Sequence, residues 1–127
     1  MANPALVRLD EFCRRVVLID DKVNTALVMR EITPEGAYAR PGQWVPDKEL
    51  LQRLLTQVNI MIGIANSNEQ IYGELAYVMV THKIADFFFY PLSDKRIFLV
   101  SVNRPYDHAR IESRLSEMLP ELKNMAQ

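Results

Sequence analysis

The chain has 127 residues, of which 49% are hydrophobic and 24% charged, with a formal net charge of −1; this composition predicts one soluble globular domain over residues 1–127. A nucleic-acid binder usually carries a basic surplus, and this sequence has none. Its single cysteine, Cys13, excludes an internal disulfide. No signal-peptide pattern and no apolar stretch of about 18 residues are present, so we predict a cytoplasmic protein without a membrane segment.

The first predicted element is a helix over residues 3–19. Asn3 suits the N-cap position and Pro4 the first helical position. Residues 16–19 are rich in β-branched side chains and could instead form a short strand. The helix is favoured because an apolar stripe at three- and four-residue steps continues through this run. The stripe consists of Leu6, Leu9, Cys13, Val16 and Val17.

A β-hairpin is predicted next. Residues 25–32 are typical of a strand, and residues 33–36 of a turn, because Pro34 presets one backbone angle and Gly36 permits a positive one. Residues 37–40 would return as a second strand. This strand is short and charged enough to lie at the edge of a sheet.

The second predicted helix covers residues 47–65, with Asp47 as its cap. Ile60, Gly63 and Ile64 make it apolar on a second side as well, which indicates burial on that side too. Either a partner subunit or another part of the same chain would explain this. The first, core-facing stripe consists of Leu51, Leu54, Leu55, Val58, Met61 and Ile62.

Three further strands are predicted over residues 72–81, 84–90 and 96–102. The links between them are short, so the strands should pair as an antiparallel meander. The last strand is apolar on both faces and therefore needs cover on both faces.

A closing helix is predicted to begin after Asp107, its cap, and to end or kink at Pro120, with frayed residues after Leu122. Its apolar stripe consists of Ile111, Leu115, Met118, Leu119 and Leu122.

These elements have the order α-β-β-α-β-β-β-α, which predicts an α/β (α+β) fold: a five-stranded antiparallel sheet with helices on both faces. In this order, and in the strand–turn–strand segment of residues 89–100, the chain resembles the roadblock/LC7 family of profilin-like folds. It is also similar to a group of small archaeal proteins, through residues 13–16, the Pro91-Leu92 step and the Asp107-His108 pair.

The resemblance implies a non-catalytic interaction module without cofactor or metal. Roadblock-like proteins form homodimers, often through the second helix and the third strand, and they scaffold small GTPases or motor assemblies. On that basis we expect self-association, and a small GTPase or another protein as a further partner. The expected dimer interface consists of Ile60, Gly63, Ile64, Tyr72, Leu75 and Tyr77.

Candidate reactive residues are few and scattered. His82 lies at a predicted turn, and His108 follows a helix cap; two distant histidines and one cysteine make a poor metal signature. Cys13 lies on an apolar stripe, which favours a core role over a nucleophilic one. The carboxylates of Asp20 and Asp21 could hold magnesium, but a solvated loop is the better interpretation.

Aromatic residues follow one another at positions 87–90. On a strand, Phe87 and Phe89 face one way while Phe88 and Tyr90 face the other, and core packing explains them better than base stacking. Trp44, in a predicted loop, would either anchor a partner or tuck over the core.

Two other functions are compatible with the predicted shape. A PAS-like small-molecule sensor would need a cavity between the sheet and the helices. An enzyme would need His82, His108 and acidic residues to be brought together, and no catalytic motif of the sequence gives a reason for that.

Overall fold

A computed structural model describes residues 4–125 of the chain, with side-chain burial from residue 8 onward. The predicted element order is confirmed, with one short additional helix. The elements are α1 (Pro4–Val17), β1 (Val23–Arg30), β2 (Thr33–Ala39), α2 (Lys48–Asn66), α3 (Glu69–Tyr72), β3 (Val78–Thr81), β4 (Ala85–Pro91), β5 (Arg96–Asn103) and α4 (His108–Met125). No helix within this described part is both long and apolar enough to cross a bilayer.

The five strands form one antiparallel sheet in the order β2-β1-β5-β4-β3. β5 is the central strand and lies between β1 and β4, with its Leu99 opposite Leu27 of β1. β2 and β3 form the two edges. The predicted five-stranded antiparallel sheet is therefore confirmed.

Helices α1 and α4 cover one face of the sheet. The Phe12 ring of α1 meets the Phe98 ring of β5 edge to face, with 5.7 Å between their centroids. Leu115 of α4 is fully buried in the same core. The Arg15 guanidinium donates two hydrogen bonds of 3.0 and 2.7 Å to the Glu121 carboxylate and so links the two helices at the surface.

Helix α2 covers the opposite face. It begins as predicted after Asp47, whose carboxylate accepts a 2.8 Å hydrogen bond from the Leu50 amide. Of the predicted stripe, Leu51 and Met61 are only partly buried and Leu54 is exposed. The aromatic run alternates as predicted: Phe88 and Tyr90 belong to the α1–α4 core, while Phe87 and Phe89 pack in the α2 core. That core is formed by Leu27, Met29, Leu55, Val58, Ile62, Phe89 and Ile97.

The predicted turn at residues 33–36 is wrong. The chain turns two residues earlier, at Glu31, whose φ is 53°, and Pro34 and Gly36 lie within β2. Pro34 is tolerated because β2 is an edge strand, where a missing N–H breaks no ladder on the outer side. Gly36 has a packing role: a Cβ built on it would lie 2.4 Å from the Cβ of Leu9 in α1.

The predicted third strand over residues 72–81 is too long. Tyr72 ends the short helix α3, and Gly73 follows with a φ of 89°. Leu75 and Tyr77 lie in irregular backbone before β3 begins at Val78. Only the four residues of β3 pair with β4, and residues 73–77 take no part in this pairing.

The helix boundaries otherwise follow the sequence closely. α1 ends at Val17, so residues 16 and 17 are helical as predicted, but the predicted helix is two residues too long, because Leu18 and Ile19 lie in a turn. The predicted cap Asn3 lies outside the described residues. The sequence predicted an end or a kink at Pro120; α4 continues past this residue to Met125, so an end at the proline is excluded. Pro120 lies on the exposed side of the helix, and the burial of Leu122 holds the last turn against the core.

Candidate interaction surface

The outward side of α2 carries apolar side chains that are not buried in the core. The side chains of Ile60 and Ile64 are 58% and 65% exposed, although both lie on a helix whose other side is buried. Gly63 lies between them and is also exposed. Four-residue spacing places Ile60 and Ile64 on one face, one turn apart. The two isoleucines therefore form an apolar surface turned away from the domain.

Exposed apolar side chains continue into α3. Tyr72, predicted to lie in a strand at the interface, is 83% exposed, and the neighbouring Ile71 is also exposed. Ile71 was not among the residues of the expected dimer interface. It directly precedes the predicted strand, and a β-branched residue there is typical of strand sequence. We call Ile60, Gly63, Ile64, Ile71 and Tyr72 the α2–α3 surface.

The last two residues of the expected interface lie elsewhere. Leu75 is half-buried against the α2 core. Tyr77 is half-buried on the opposite side of the sheet, with its ring 5.3 Å from that of Tyr90 and 6.0 Å from that of Phe88. Both side chains support the packing of residues 73–77, and they do not lie beside Ile60 and Ile64 on the outer side of α2.

Charge is missing where this surface lies on α2. Residues 56–68 contain no charged side chain, although charged residues make up 24% of the chain. A two-fold symmetric contact brings the same surface together from both copies, so a surface with charges of one sign would repel its copy. An uncharged surface avoids this repulsion.

The sheet also has one open edge. β3 pairs only with β4 within the described residues, and its outer backbone groups face away from the sheet. Such an edge can accept a further strand. β2, at the other edge, carries Pro34 and a bulge between Val28 and Met29 of its neighbour β1, both of which hinder strand addition.

Trp44 is 70% exposed, in the loop between β2 and α2. Of the two placements that the sequence left open, the structure shows the exposed one. The neighbouring Val45 is exposed as well.

The two histidines have separate structural surroundings. His82 lies at the turn after β3, and its ring meets Phe87 edge to face at 5.9 Å. The His108 ring stacks at 5.6 Å on Phe88, and its Nε2 lies 3.3 Å from the sulfur of Met79. Among residues 4–125 no group of histidine, cysteine and acidic side chains has the arrangement of a metal site.

Cys13 lies in the core, and the Asp20–Asp21 pair lies in a surface turn. Burial, together with the charge of Asp10, raises the pKa of the Cys13 thiol to about 12. A thiol of that pKa forms little of the nucleophilic thiolate at neutral pH. Asp20 accepts a hydrogen bond from the Lys22 amide and forms an ion pair with Arg110, and Asp21 is exposed beside it.

One buried carboxylate was not singled out from the sequence. Asp86 is only 3% exposed. It accepts hydrogen bonds from the Thr81 hydroxyl and, at 2.6 Å, from the Tyr106 hydroxyl. Burial by itself would raise the pKa of Asp86, but these two hydrogen bonds and the charges of Arg104 and His108 bring it below its usual value. Burial and the bond to Asp86 raise the pKa of Tyr106, so neither group has the near-neutral pKa of a general acid or base.

Two clefts open to solvent have volumes of about 260 and 330 Å³. The first lies beside Tyr90, Leu119 and Lys123, and the second beside Asn59 and Arg96. Ligand pockets usually enclose about 300–1,000 Å³. Both clefts are at or below the lower end of that range, so neither favours the small-molecule sensor.

Comparison of the whole fold with solved structures gives close matches. The Roadblock/LC7 domain from Streptomyces avermitilis matches with a TM-score of 0.74 and 12% sequence identity, over 91% of this chain and 95% of that one. The chain has the roadblock/LC7 fold. The gliding protein MglB from Thermus thermophilus matches this roadblock-like chain with a TM-score of 0.82 and 9% identity, over 99% of this chain and 93% of that one.

A second MglB structure, described as having a tetrameric arrangement, also matches with a TM-score of 0.82, at 11% identity and over 99% and 93% of the two chains. No protein-family model and no curated protein matches the sequence. These matches give no support to the predicted likeness to archaeal proteins.

Proposed function

We propose that this roadblock-like protein is a non-catalytic interaction module that forms a homodimer through the α2–α3 surface. The observation that carries the proposal is the exposure of Ile60 and Ile64 on a helix whose other side packs in the core through Leu55, Val58 and Ile62. Contiguous exposed apolar groups of this kind mark association surfaces.

Three further observations support a second copy of the chain as the occupant. The absence of charge over residues 56–68 suits a surface that meets itself across a two-fold axis. The open edge of β3 could add backbone hydrogen bonds to the same contact. An MglB of the same fold is described in a tetrameric arrangement, an example of self-association on this scaffold.

Light scattering after size-exclusion chromatography at tens of micromolar tests the proposal. The native protein is expected to elute as a dimer, and Ile64→Asp as a folded monomer, because a carboxylate cannot be buried there without a partner. Leu18→Asp is the matched control: Leu18 is 54% exposed directly after α1, the helix that covers the opposite face of the sheet, and its variant should remain a dimer. A native protein that is monomeric at this concentration would remove the proposal.

A second protein would then bind the dimer. The roadblock resemblance implies a small GTPase or a motor component, and a small GTPase encoded beside the gene is the first to test. We expect calorimetry with the purified GTPase to give saturable binding to the dimer. Heats no larger than those of dilution would exclude that GTPase as the partner. The cytoplasmic location predicted from the sequence belongs to the same proposal.

A further inference from the structure

One cleft gathers polar side chains that the described fold leaves unpaired. It is the cleft of about 260 Å³, and it lies between residues 74–76, the end of β4 and the last part of α4. Glu74, Tyr90 and Lys123 line it, one from each of these three segments. Among residues 4–125, none of the three side chains forms a hydrogen bond or an ion pair. The cleft therefore offers three unused polar groups in one place.

The hydroxyl group of Tyr90 is the buried member of this set. Tyr90 is only 2% exposed, and its hydroxyl oxygen is buried without a hydrogen-bond partner in the described part of the chain. Burying a polar group without a hydrogen bond costs free energy, so nearly all such groups in proteins are satisfied. Burial, followed by the nearby Tyr77 and Glu112, raises the pKa of Tyr90, so the hydroxyl keeps its proton and can donate. A ligand in the cleft with an acceptor atom would complete this hydrogen bond.

Glu74 and Lys123 bring one charge of each sign to the same cleft. Both residues are exposed, and their side chains lie too far apart to form an ion pair with each other. A ligand that carries one charge of each sign can pair with both at once, whereas a ligand with a single charge would be repelled by one of them. The other lining residues are apolar: Leu75, Ala76, Pro91 and Leu119. The lining thus favours a zwitterion with a small apolar side chain.

The volume of the cleft limits the size of this ligand. It lies below the range of usual ligand pockets, but at about 30 Å³ for each water-sized group it has room for roughly eight heavy atoms. We propose that the cleft binds a small zwitterion of the class of the free α-amino acids. Its carboxylate accepts the hydrogen bond from Tyr90 and pairs with Lys123, and its ammonium group pairs with Glu74. No residue of the α2–α3 surface lines the cleft, so the proposal does not rest on the homodimer.

Titration with L-valine, followed by two-dimensional NMR, tests the proposal. L-valine has the size that fits the cleft and a short apolar side chain. The amide signals of residues 74–76 and of Leu119 and Lys123 should shift in a saturable way at millimolar concentrations. Isobutylamine, which is valine without its carboxylate, should bind roughly tenfold more weakly, because it loses the hydrogen bond from Tyr90. Isovalerate, which is valine without its ammonium group, should bind about threefold more weakly, because an exposed ion pair contributes little.

Tyr90→Phe separates a ligand contact from a structural role. The variant keeps the ring and loses only the hydroxyl, so L-valine should bind roughly tenfold more weakly. The unfolding temperature of the ligand-free protein should not fall, because the lost hydroxyl has no partner among the described residues. Tyr38→Phe is the matched control: it makes the same change in β2, at the edge of the sheet remote from the cleft, and should leave the affinity for L-valine unchanged. In Glu74→Gln, isovalerate should bind as tightly as L-valine.

The proposal fails if L-valine at tens of millimolar produces no saturable shift in either the native protein or the Ile64→Asp variant, and that result would leave the homodimer unaffected. Equal affinity for L-valine and isobutylamine would overturn the carboxylate contacts. Unchanged binding of L-valine by Tyr90→Phe would exclude the hydroxyl as a ligand contact. A fall of several degrees in the unfolding temperature of this variant would show that the hydroxyl is bonded inside the domain. Either result with Tyr90→Phe would overturn the proposal.

Discussion

At the residue scale, Asp86 shows how a buried charge can be structural. Its carboxylate joins Thr81 at the end of β3 to Tyr106 just before α4. The two hydroxyl donors compensate for the burial of the charge and hold the carboxylate in its ionised form. Asp86 therefore fixes the entry to α4 against the edge of the sheet.

Replacing this carboxylate should destabilise the domain. Asp86→Asn weakens hydrogen bonds to a charged acceptor, which contribute about 1.5–3 kcal/mol. Because the pKa of Asp86 is lowered by folding, its contribution is present above the usual carboxyl pKa of about 4 and is lost as the pH falls through the lowered value. Urea unfolding should show a large gap between variant and native protein at pH 7 and a smaller gap near pH 3.

The exposed Asp21 supplies the control for this pH dependence. Asp21→Asn changes a carboxylate in a solvated loop, so its unfolding free energy should run parallel to that of the native protein at both pH values. A gap for Asp86→Asn that stays constant between pH 7 and pH 3 would show that the ionised carboxylate is not the stabilising group.

Gly36 is the second residue whose role depends on a close contact. An added Cβ would lie 2.4 Å from the Cβ of Leu9 and 3.0 Å from its carbonyl carbon. Gly36→Ala should thus push α1 away from β2 and cost about 1–3 kcal/mol in unfolding free energy, as overpacking does. Ala37→Thr, at the exposed next position of the strand, should change it little. A Gly36→Ala protein as stable as the native one would contradict the close contact.

At the element scale, the starts of α2 and α4 and the limits of β4 and β5 were predictable to within one residue, but the limits of β2 and β3 were not. Asp47 predicted the start of α2 because a cap acts locally, through one carboxylate and an amide three residues later. The start of β3 could not be found this way. Residues 73–77 were predicted to belong to the strand, but a strand exists only where a neighbour pairs with it, and β3 pairs with β4 only over residues 78–81.

The cap of α2 can be tested by itself. Asp47→Ala removes the acceptor for the Leu50 amide and should cost about 1 kcal/mol in unfolding free energy, measured by urea titration. Asp47→Ser keeps an acceptor at the same position and should retain most of the stability. Equal losses in the two variants would show that the contribution of Asp47 does not come from capping.

At the scale of the whole molecule, the two edges and two faces of the sheet differ in what they leave free. α1 and α4 close one face, and the β2 edge carries a proline and a bulge. The α2 side presents Ile60 and Ile64 outward, and the β3 edge is open. The proposed homodimer places its contact on this side of the domain, and the dimerisation experiment tests that placement.

The candidate surface was predictable in part. Ile60, Gly63 and Ile64 could be found because a helix with a second apolar side shows in its periodicity. Leu75 and Tyr77 were placed beside them on the assumption of a long third strand, and the structure turns them into the two cores. Ile71 was missed because its exposure follows from α3, a helix of four residues too short to have a periodic pattern.

The sequence by itself determined the order of the elements, the alternation of the aromatic strand and the cap of α2, because each depends on residues a few positions apart. Only the tertiary structure decided where β2 begins, how short β3 is, that Gly36 serves packing and that Asp86 is held by hydroxyl groups on either side of it. These features depend on contacts between segments distant along the chain. The intrinsic preference of a residue for helix or strand does not depend on such contacts. Where this preference and burial against a neighbouring segment disagree, burial decides the structure.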